Sequence, residues 1–255
     1  MMQQTPEMNS TALKTAKTQL RSLMKQRLAS IPPESIASQS GLTSLQQPGQ
    51  IPPYVNAKNV AVYLSMPHGE IQTDLIVRDA LSSGKRVFIP YLHKSGLPAA
   101  DGPTRLMDMV SLRDVEDYEA LQRDKWGIPS VDAATVNQRQ RSVGELGGER
   151  SEDASLDLIL LPGVAFDTDP STGVIRRLGH GKGFYDYFLH RYTLAASEQD
   201  RAPGGRPSVL LYALALQEQF LPPSSEHTVP VGPHDQPIDG VFLGDGELRM
   251  SPTDR

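Results

Sequence analysis

Five short segments of the chain carry nearly unbroken apolar runs: Asn59–Ser65 (NVAVYLS), Arg86–Leu92 (RVFIPYL), Leu156–Pro162 (LDLILLP), Ser208–Leu216 (SVLLYALAL) and Ile238–Leu243 (IDGVFL). Strict alternation would mark strands wetted on one face, whereas continuous runs of this length suit parallel strands covered on both faces. Between the first two runs, Asp74–Ser83 (DLIVRDALSS) has a helical pattern, with Asp74 the expected N-cap and Gly84 the expected C′ residue. Strand, helix and strand in that order form a βαβ unit. The prediction is an α/β fold with a mainly parallel sheet.

A helix is also predicted over Thr11–Ala29, which has no proline and is stopped by Ile31-Pro32-Pro33. Leu13, Ala16, Leu20, Leu23 and Met24 share one side of it, and Lys14, Lys17, Arg21 and Lys25 form a separate stripe. Taken alone, the basic stripe fits a solvated helix edge, or a Lys17–Arg21 pair converging on a phosphate. Thr43–Pro53, Ala133–Ser155 and Ser197–Pro207 are rich in turn-formers and read as surface loops or insertions. They do not cleanly divide the chain, and no internal repeat is visible. One domain over residues 1–255 is expected, with its core at about 11–245 and inserted loops at about 133–155 and 197–207.

Composition narrows the function classes. The chain has 255 residues and 0 Cys, which removes disulfide scaffolds, zinc–thiolate sites, iron–sulfur clusters and thiol nucleophiles. Lys+Arg 25 against Asp+Glu 30 gives a net charge of −5, which argues against a main role in gripping nucleic acid or an anionic membrane. A local basic pocket for a small anion remains compatible with it. The longest apolar run, Val209–Leu216, falls far short of the ~20 residues that span a bilayer. The opening MMQQTPEMNS has neither a signal-peptide nor an Arg-rich transit pattern. A soluble cytoplasmic protein is therefore expected, with a mitochondrial pool left open.

The chemistry concentrates in Leu158–Tyr187, LILLPGVAFDTDPSTGVIRRLGHGKGFYDY. Gly179, Gly181 and Gly183 alternate, so the backbone can approach an anion closely. Arg177 and Lys182 add positive charge, and Phe184–Tyr192 reads as a helix whose N-terminal N–H groups would complete an anion cradle. The string is neither a P-loop nor the dinucleotide fingerprint. Its glycines alone also fit a plain glycine-rich turn.

The full string RLGHGKGFYD, preceded by LILLPGVAFD, resembles the 5-formyltetrahydrofolate cyclo-ligase (methenyltetrahydrofolate synthetase) family, whose hallmark is PG-x-AFD followed by R-L-G-x-G-x-G-[YF]-Y-D. AKTQLR at Ala16–Arg21, YLSMPHGEIQT at Tyr63–Thr73, RLMDMV at Arg105–Val110, WGIP at Trp126–Pro129 and HDQPIDGVF at His234–Phe242 match in the same order, covering most of 14–243. The expected architecture is an open, single-domain, three-layer α/β/α sandwich of Rossmann-like form. The resemblance implies ATP- and Mg2+-dependent conversion of 5-formyltetrahydrofolate to 5,10-methenyltetrahydrofolate, with reduced folate and ATP as small-molecule partners and a monomeric enzyme.

The resemblance also implies a division of labour. Lys17, Arg21 and the loop Arg177, Leu178, Gly179, His180, Gly181, Lys182, Gly183, Phe184 and Tyr185 would bind ATP, with Lys182 and Arg177 serving the phosphoryl transfer. Leu64, Glu70 and Trp126 would contact the folate, together with His180–Phe184, and Asp186 and Asp235 would hold the metal. Taken as single residues, Asp235 also fits a turn aspartate, and Trp126 and Tyr185 also fit core positions. His180 departs from the family's usual Arg, although His occurs there in some members. The loop before Arg177 is lengthened at Asp169–Ile175, and the Tyr63–Thr73 turn carries Pro67 and an extra residue. Two other readings remain open: a folate-sequestering protein without turnover, and another ATP- or sugar-phosphate-using α/β enzyme. A pure binder would have no need of this set of phosphate-directed cations and metal aspartates.

Overall fold

The computed structural model describes residues 10–42, 52–95, 103–143, 154–195, 201–202, 206–207 and 209–252. Its helices are α1 (Ser10–Ala29), α2 (Pro33–Leu42), α3 (Pro52–Asn56), α4 (Asp74–Ser82), α5 (Val115–Glu119) and α6 (Phe184–Ala195). The strands are β1 (Asn59–Val62), β2 (Arg86–Lys94), β3 (Arg105–Ser111), β4 (Gln122–Arg123), β5 (Pro129–Ser130), β6 (Leu158–Leu161), β7 (Ala165–Thr168), β8 (Ile175–Leu178), β9 (Arg201–Ala202), β10 (Arg206–Pro207), β11 (Leu210–Ala215), β12 (Gly240–Leu243) and β13 (Leu248–Met250).

Seven of these strands form one sheet in the order β13-β12-β11-β6-β1-β2-β3. The five central strands run parallel, and β13 and β3 close the edges antiparallel. The parallel five are the five apolar runs of the sequence, because each strand feeds both faces. Val60, Val62, Leu158, Leu160, Tyr212 and Leu214 point into one core, and Ala61, Ile159, Leu161, Ala213 and Ala215 into the other. Helices α2 to α5 cover the first face through Ile36, Tyr54, Ile76, Val77 and Tyr118, and α6 covers the second through Phe188, Leu189 and Tyr192. Each fully buried large apolar side chain contributes about 1.5–3 kcal/mol.

The strands do not all end where the apolar runs do, and β2 continues past Leu92 to Lys94. β1 stops at Val62, not Ser65, because Tyr63 leaves the ladder and its carbonyl accepts a hydrogen bond from Thr73 Oγ1 at 2.8 Å. The same bond corrects the expected cap of α4. Thr73, not Asp74, is the N-cap and makes no side-chain capping bond, while Asp74 Oδ2 accepts from Arg78 Nε at 2.9 Å. Gly84 follows the C-cap Ser83 with φ +78°, the C′ conformation expected of it.

α1 packs away from the sheet, on the β7–β8 hairpin. Leu20 and Met24 meet Val164, Ala165, Leu178, Leu221 and Val229 in a third core. That hairpin explains the AFD segment: Asp167 pairs with Arg176 and its Oδ2 also accepts the Val229 N–H at 2.8 Å. Of the expected loops, 43–51 and 144–153 lie outside the described residues, as does most of 197–207, where Arg201–Ala202 and Arg206–Pro207 pair antiparallel. The part of Ala133–Ser155 that is described is anchored, with Arg139 buried in a double hydrogen bond to Asp117.

Candidate functional site

In an open parallel sheet the ligand crevice lies beyond the carboxyl ends of the strands, and here the motifs converge on that end. After β6 the chain turns at Gly163, where a Cβ would sit 2.3 Å from the Phe166 ring, so only glycine fits. Gln219, 1% exposed, ties this corner down by donating to the Gly163 carbonyl at 2.6 Å and accepting the Leu216 N–H at 2.8 Å. The β7–β8 hairpin then delivers Arg177 and the glycine loop.

Arg177 is buried under the loop. Its Nη2 donates to Asp186 Oδ1 at 2.8 Å and its Nη1 to the Pro162 carbonyl at 3.2 Å, while Nε has no partner. Gly181 and Gly183 adopt φ +93° and +67°, conformations that other L residues rarely take. Gly183 precedes α6, whose first N–H groups lack intrahelical acceptors, as at any helix N-terminus. Lys182 is exposed on the loop and makes no hydrogen bond or ion pair among the described residues.

α1 supplies the second wall. Arg21 Nε donates to the Gly179 carbonyl at 2.9 Å, and its guanidinium lies 3.1–3.2 Å from where a Cβ on Gly181 would stand. Burial lowers the Arg21 pKa from its ordinary value, and the charges of Asp235 and Asp186 oppose that shift, so both carboxylates flank it. Lys17, one turn earlier, grips both oxygens of Asp235 at 2.7 and 2.5 Å. Asp235 Oδ2 also accepts the Gly232 N–H. Arg21 thus reaches the glycine loop, whereas Lys17 is held by Asp235, which is an ion-pair partner as well as a turn residue.

The third wall is the Tyr63–Thr73 turn. Glu70 is buried, with Oε2 accepting the Met66 N–H at 2.9 Å and Oε1 3.0 Å from Nε2 of the half-exposed His180. Gln72 Nε2 donates to the carbonyls of Met66 and Glu70, and Tyr63 Oη donates to that of Ile71. Leu64 is 7% exposed and belongs to the first core. Tyr185 packs its ring against both main cores, and its buried Oη has no partner. Burial pushes that phenol well above its ordinary pKa; the charge of Glu70 adds to the effect and that of Arg177 opposes it. Trp126 is 53% exposed, so it is not a core residue. It stands at the tip of the β4–β5 hairpin, where Gly127 lies against Pro67 of the turn.

Contacts thus link α1 to the glycine loop through Arg21, the loop to the buried turn through His180 and Glu70, and the turn to the Trp126 hairpin through Pro67 and Gly127. A family model for the 5-formyltetrahydrofolate cyclo-ligase family matches residues 13–244. The chain belongs to that family. A 5-formyltetrahydrofolate cyclo-ligase of Mus musculus is 33% identical over 239 residues, covering 93% of this chain and 98% of its own. The cyclo-ligase of Saccharomyces cerevisiae is 32% identical over 200 residues, covering 76% and 79%. The fold is shared with the solved 5,10-methenyltetrahydrofolate synthetase of Aquifex aeolicus, with TM-score 0.56, 21% identity and 94% of each chain covered.

Two features of this cyclo-ligase site escaped the sequence reading. The cation–carboxylate pairs Lys17–Asp235 and Arg177–Asp186 tie the walls together, but the first pair is 218 residues apart in the chain and has no local signature. RLMDMV proves to be the edge strand β3, and its first residues line a hollow of about 220 Å3 beside Lys182. Among the described residues no group of three or more His, Asp or Glu side chains gathers as a metal cage. No helix among them is long and apolar enough to cross a membrane.

Proposed function

We propose that the protein converts 5-formyltetrahydrofolate to 5,10-methenyltetrahydrofolate at the expense of ATP, using Mg2+, with the crevice between α1 and the Tyr63–Thr73 turn as its active site. A single observation carries the reading: the His180–Glu70 contact at 3.0 Å brings the phosphate-type loop against the buried acidic turn, so a nucleotide and a pterin would meet there.

The chemistry requires such a meeting. A formamide carbon is a poor electrophile and its oxygen a poor leaving group. Transfer of the γ-phosphoryl group to the formyl oxygen releases ADP and turns that oxygen into a phosphate ester. N10 then attacks the activated carbon, the C–O bond breaks with loss of inorganic phosphate, N10 gives up its proton and the ring closes. Phosphoryl transfer needs mostly positioning and charge stabilisation. Lys17, Arg21 and the N–H groups of the loop would take the phosphates, and exposed Lys182 would follow the transferring group. Arg177, held by Asp186 and Pro162, would act from beneath the loop. Glu70 and Leu64 would seat the reduced pterin, with the Trp126 face alongside.

The residues present fit Mg2+ brought in on a nucleotide, which typically takes one or two carboxylates plus phosphate oxygens and water. Asp186 offers Oδ2, which is unbonded among the described residues, and Asp235 offers a carboxylate now held by Lys17. When bound, the ion would neutralise phosphate charge.

The deciding experiment uses 5-formyltetrahydrofolate labelled with 18O in the formyl group. Product absorbance should rise only with ATP present, and the label should emerge in inorganic phosphate, one atom per turnover. Label released in water with ATP still consumed would overturn the phosphorylation step. Binding of the folate without any ATP-dependent product would overturn the enzymatic reading in favour of sequestration.

A further inference from the structure

A cavity of about 430 Å3 runs along the β4–β5 hairpin, between it, α5 and the Asp132–Thr135 turn. None of its lining residues belongs to α1, the glycine loop or the Tyr63–Thr73 turn, so it is separate from the proposed active site. Its volume is that of a small-molecule site. Ala120, Leu121 and Val131 supply apolar surface, and one wall is the buried pair Asp117–Arg139, bonded at 2.6 and 2.8 Å. Arg139 Nε, buried in that wall, has no partner.

Four further charges line the cavity without neutralising one another. Arg113 uses one guanidinium nitrogen on Asp117, at 2.9 Å, and Arg123 uses one on the Gly127 carbonyl, at 2.6 Å. Asp124 and Asp132 each commit Oδ1 to backbone N–H groups, and neither Oδ2 is bonded among the described residues. Free guanidinium edges and free carboxylate oxygens around an apolar surface complement a ligand with an anion at one end and N–H donors at the other. A guanine nucleoside monophosphate has that pattern. Its phosphate suits arginine forks, and the parallel N1–H and N2–H donors of its base suit a carboxylate, both as charge-assisted bonds. An amino acid carries its two charges side by side and would leave most of the volume empty.

Two of the same residues set the hairpin tip. Asp124 Oδ1 accepts the Trp126 N–H at 2.8 Å and the Ile128 N–H at 3.0 Å, while Arg123 holds the carbonyl of Gly127. Gly127, at φ +79°, stands against the folate-side turn, where a Cβ would lie 2.8 Å from the Pro67 ring. We infer that this cavity is a regulatory site for a guanine nucleoside monophosphate, with Arg113 and Arg123 taking the phosphate and Asp124 and Asp132 the base edge. Its effect on turnover rests on the proposed function. A phosphate displaces the neutral Gly127 carbonyl from Arg123, because a charge-assisted bond is about twice as strong. The tip then loosens, Trp126 no longer braces the folate, and the nucleotide inhibits.

The test is calorimetric titration of GMP into the protein, with the glycine loop filled by a non-hydrolysable ATP analogue and Mg2+. Two variants leave the hairpin tip intact. Arg113→Ala removes a side chain that is 69% exposed, and Asp117 keeps Arg139. Asp132→Asn keeps the oxygen that accepts the Ala134 N–H. Each should weaken GMP about tenfold, as expected for loss of one charge-assisted contact. AMP, whose base lacks the paired donors, should bind the wild type about tenfold more weakly than GMP. Absent binding, binding that AMP matches, or binding that either substitution leaves unweakened would overturn the site. In turnover assays GMP should raise the KM for the folate a few-fold and leave that for ATP unchanged, and Arg113→Ala should need about ten times more GMP for the same effect. A rise in the ATP constant instead would put GMP in the glycine loop and overturn the proposal. If the wild type made no methenyl product, the proposed function would fall, and the cavity would be judged by the titration alone.

Discussion

The glycine loop and the Tyr63–Thr73 turn meet at the His180–Glu70 contact and are built on opposite principles. In the turn nearly every polar group is already answered inside the protein: Thr73 Oγ1 donates to Tyr63 O, Gln72 Nε2 binds two carbonyls, and Glu70 caps the Met66 N–H. The loop, although Arg177, Gly179 and His180 are bonded, leaves Lys182 unpaired among the described residues, at the N-terminus of α6. A rigid, satisfied surface suits a neutral, shaped ligand such as a pterin, because no reorganisation is needed on binding. An open cradle of donors suits phosphates, whose charge would otherwise have to be stripped of water without replacement.

The sharpest break of this comparison is Lys182→Ala. An exposed side chain without partners carries no folding role, so the melting temperature should stay within the error of the wild type. The value of kcat should fall by roughly 10²–10³-fold, the usual loss when one preorganised charge is removed from a transition state. Stopped-flow turnover beside calorimetry would separate the two, and a variant that kept its kcat would remove the lysine from the chemistry.

Thr73→Val tests the other surface in the opposite sense. The substitution keeps the shape of a residue that is 1% exposed but strands the Tyr63 carbonyl and the Ser65 N–H, whose partner Thr73 Oγ1 is. Stability should drop by about 1–3 kcal/mol, or roughly 2–4 °C for each kcal/mol in a chain of this size. The KM for the folate should rise while the KM for ATP stays put. Equal effects on both constants would mean that the turn and the loop are not separate devices.

Gly181→Ala gives a smaller effect that falls on the loop alone. An alanine at φ +93° is strained by about 1–2 kcal/mol, and its methyl would press on the Arg21 guanidinium. The KM for ATP should rise about tenfold with little change for the folate. An unchanged ATP constant would show that Arg21 does not touch the nucleotide.

The same contrast explains what the sequence could reveal. The five parallel strands were legible because burial on both faces leaves an unbroken apolar run. The edges were not: β13 is three residues with a surface arginine, Arg249, and β3 is interrupted by Asp108, which anchors His93, Arg141 and Arg191. The glycine loop was legible because open donors near a backbone-hugging ligand demand glycine in the chain itself. The Asp74 cap was misread because Thr73, a residue type equally suited to capping, turns its hydroxyl back to the turn instead. Lys17–Asp235 left no trace, since an ion pair between distant segments imposes no local pattern. Exposure of Trp126, and the hollow beside Lys182, arise from packing alone.

His180→Ala would give the smallest effect and bears most directly on the division between the two surfaces. His180 Nε2 to Glu70 Oε1 is the hydrogen bond that joins loop to turn, and the imidazole is half exposed, so its strength is diluted by solvent. If the bond aligns the loop when the folate occupies the turn, each substrate should tighten the other by a few-fold in the wild type. Linkage then requires the same factor in both directions. In His180→Ala the two binding constants should become independent, with each substrate alone bound nearly as before. Isothermal titration of a non-hydrolysable ATP analogue, with and without 5-formyltetrahydrofolate, measures that factor. Coupling that persists undiminished in the variant would have to run through Tyr185, whose ring also spans both cores.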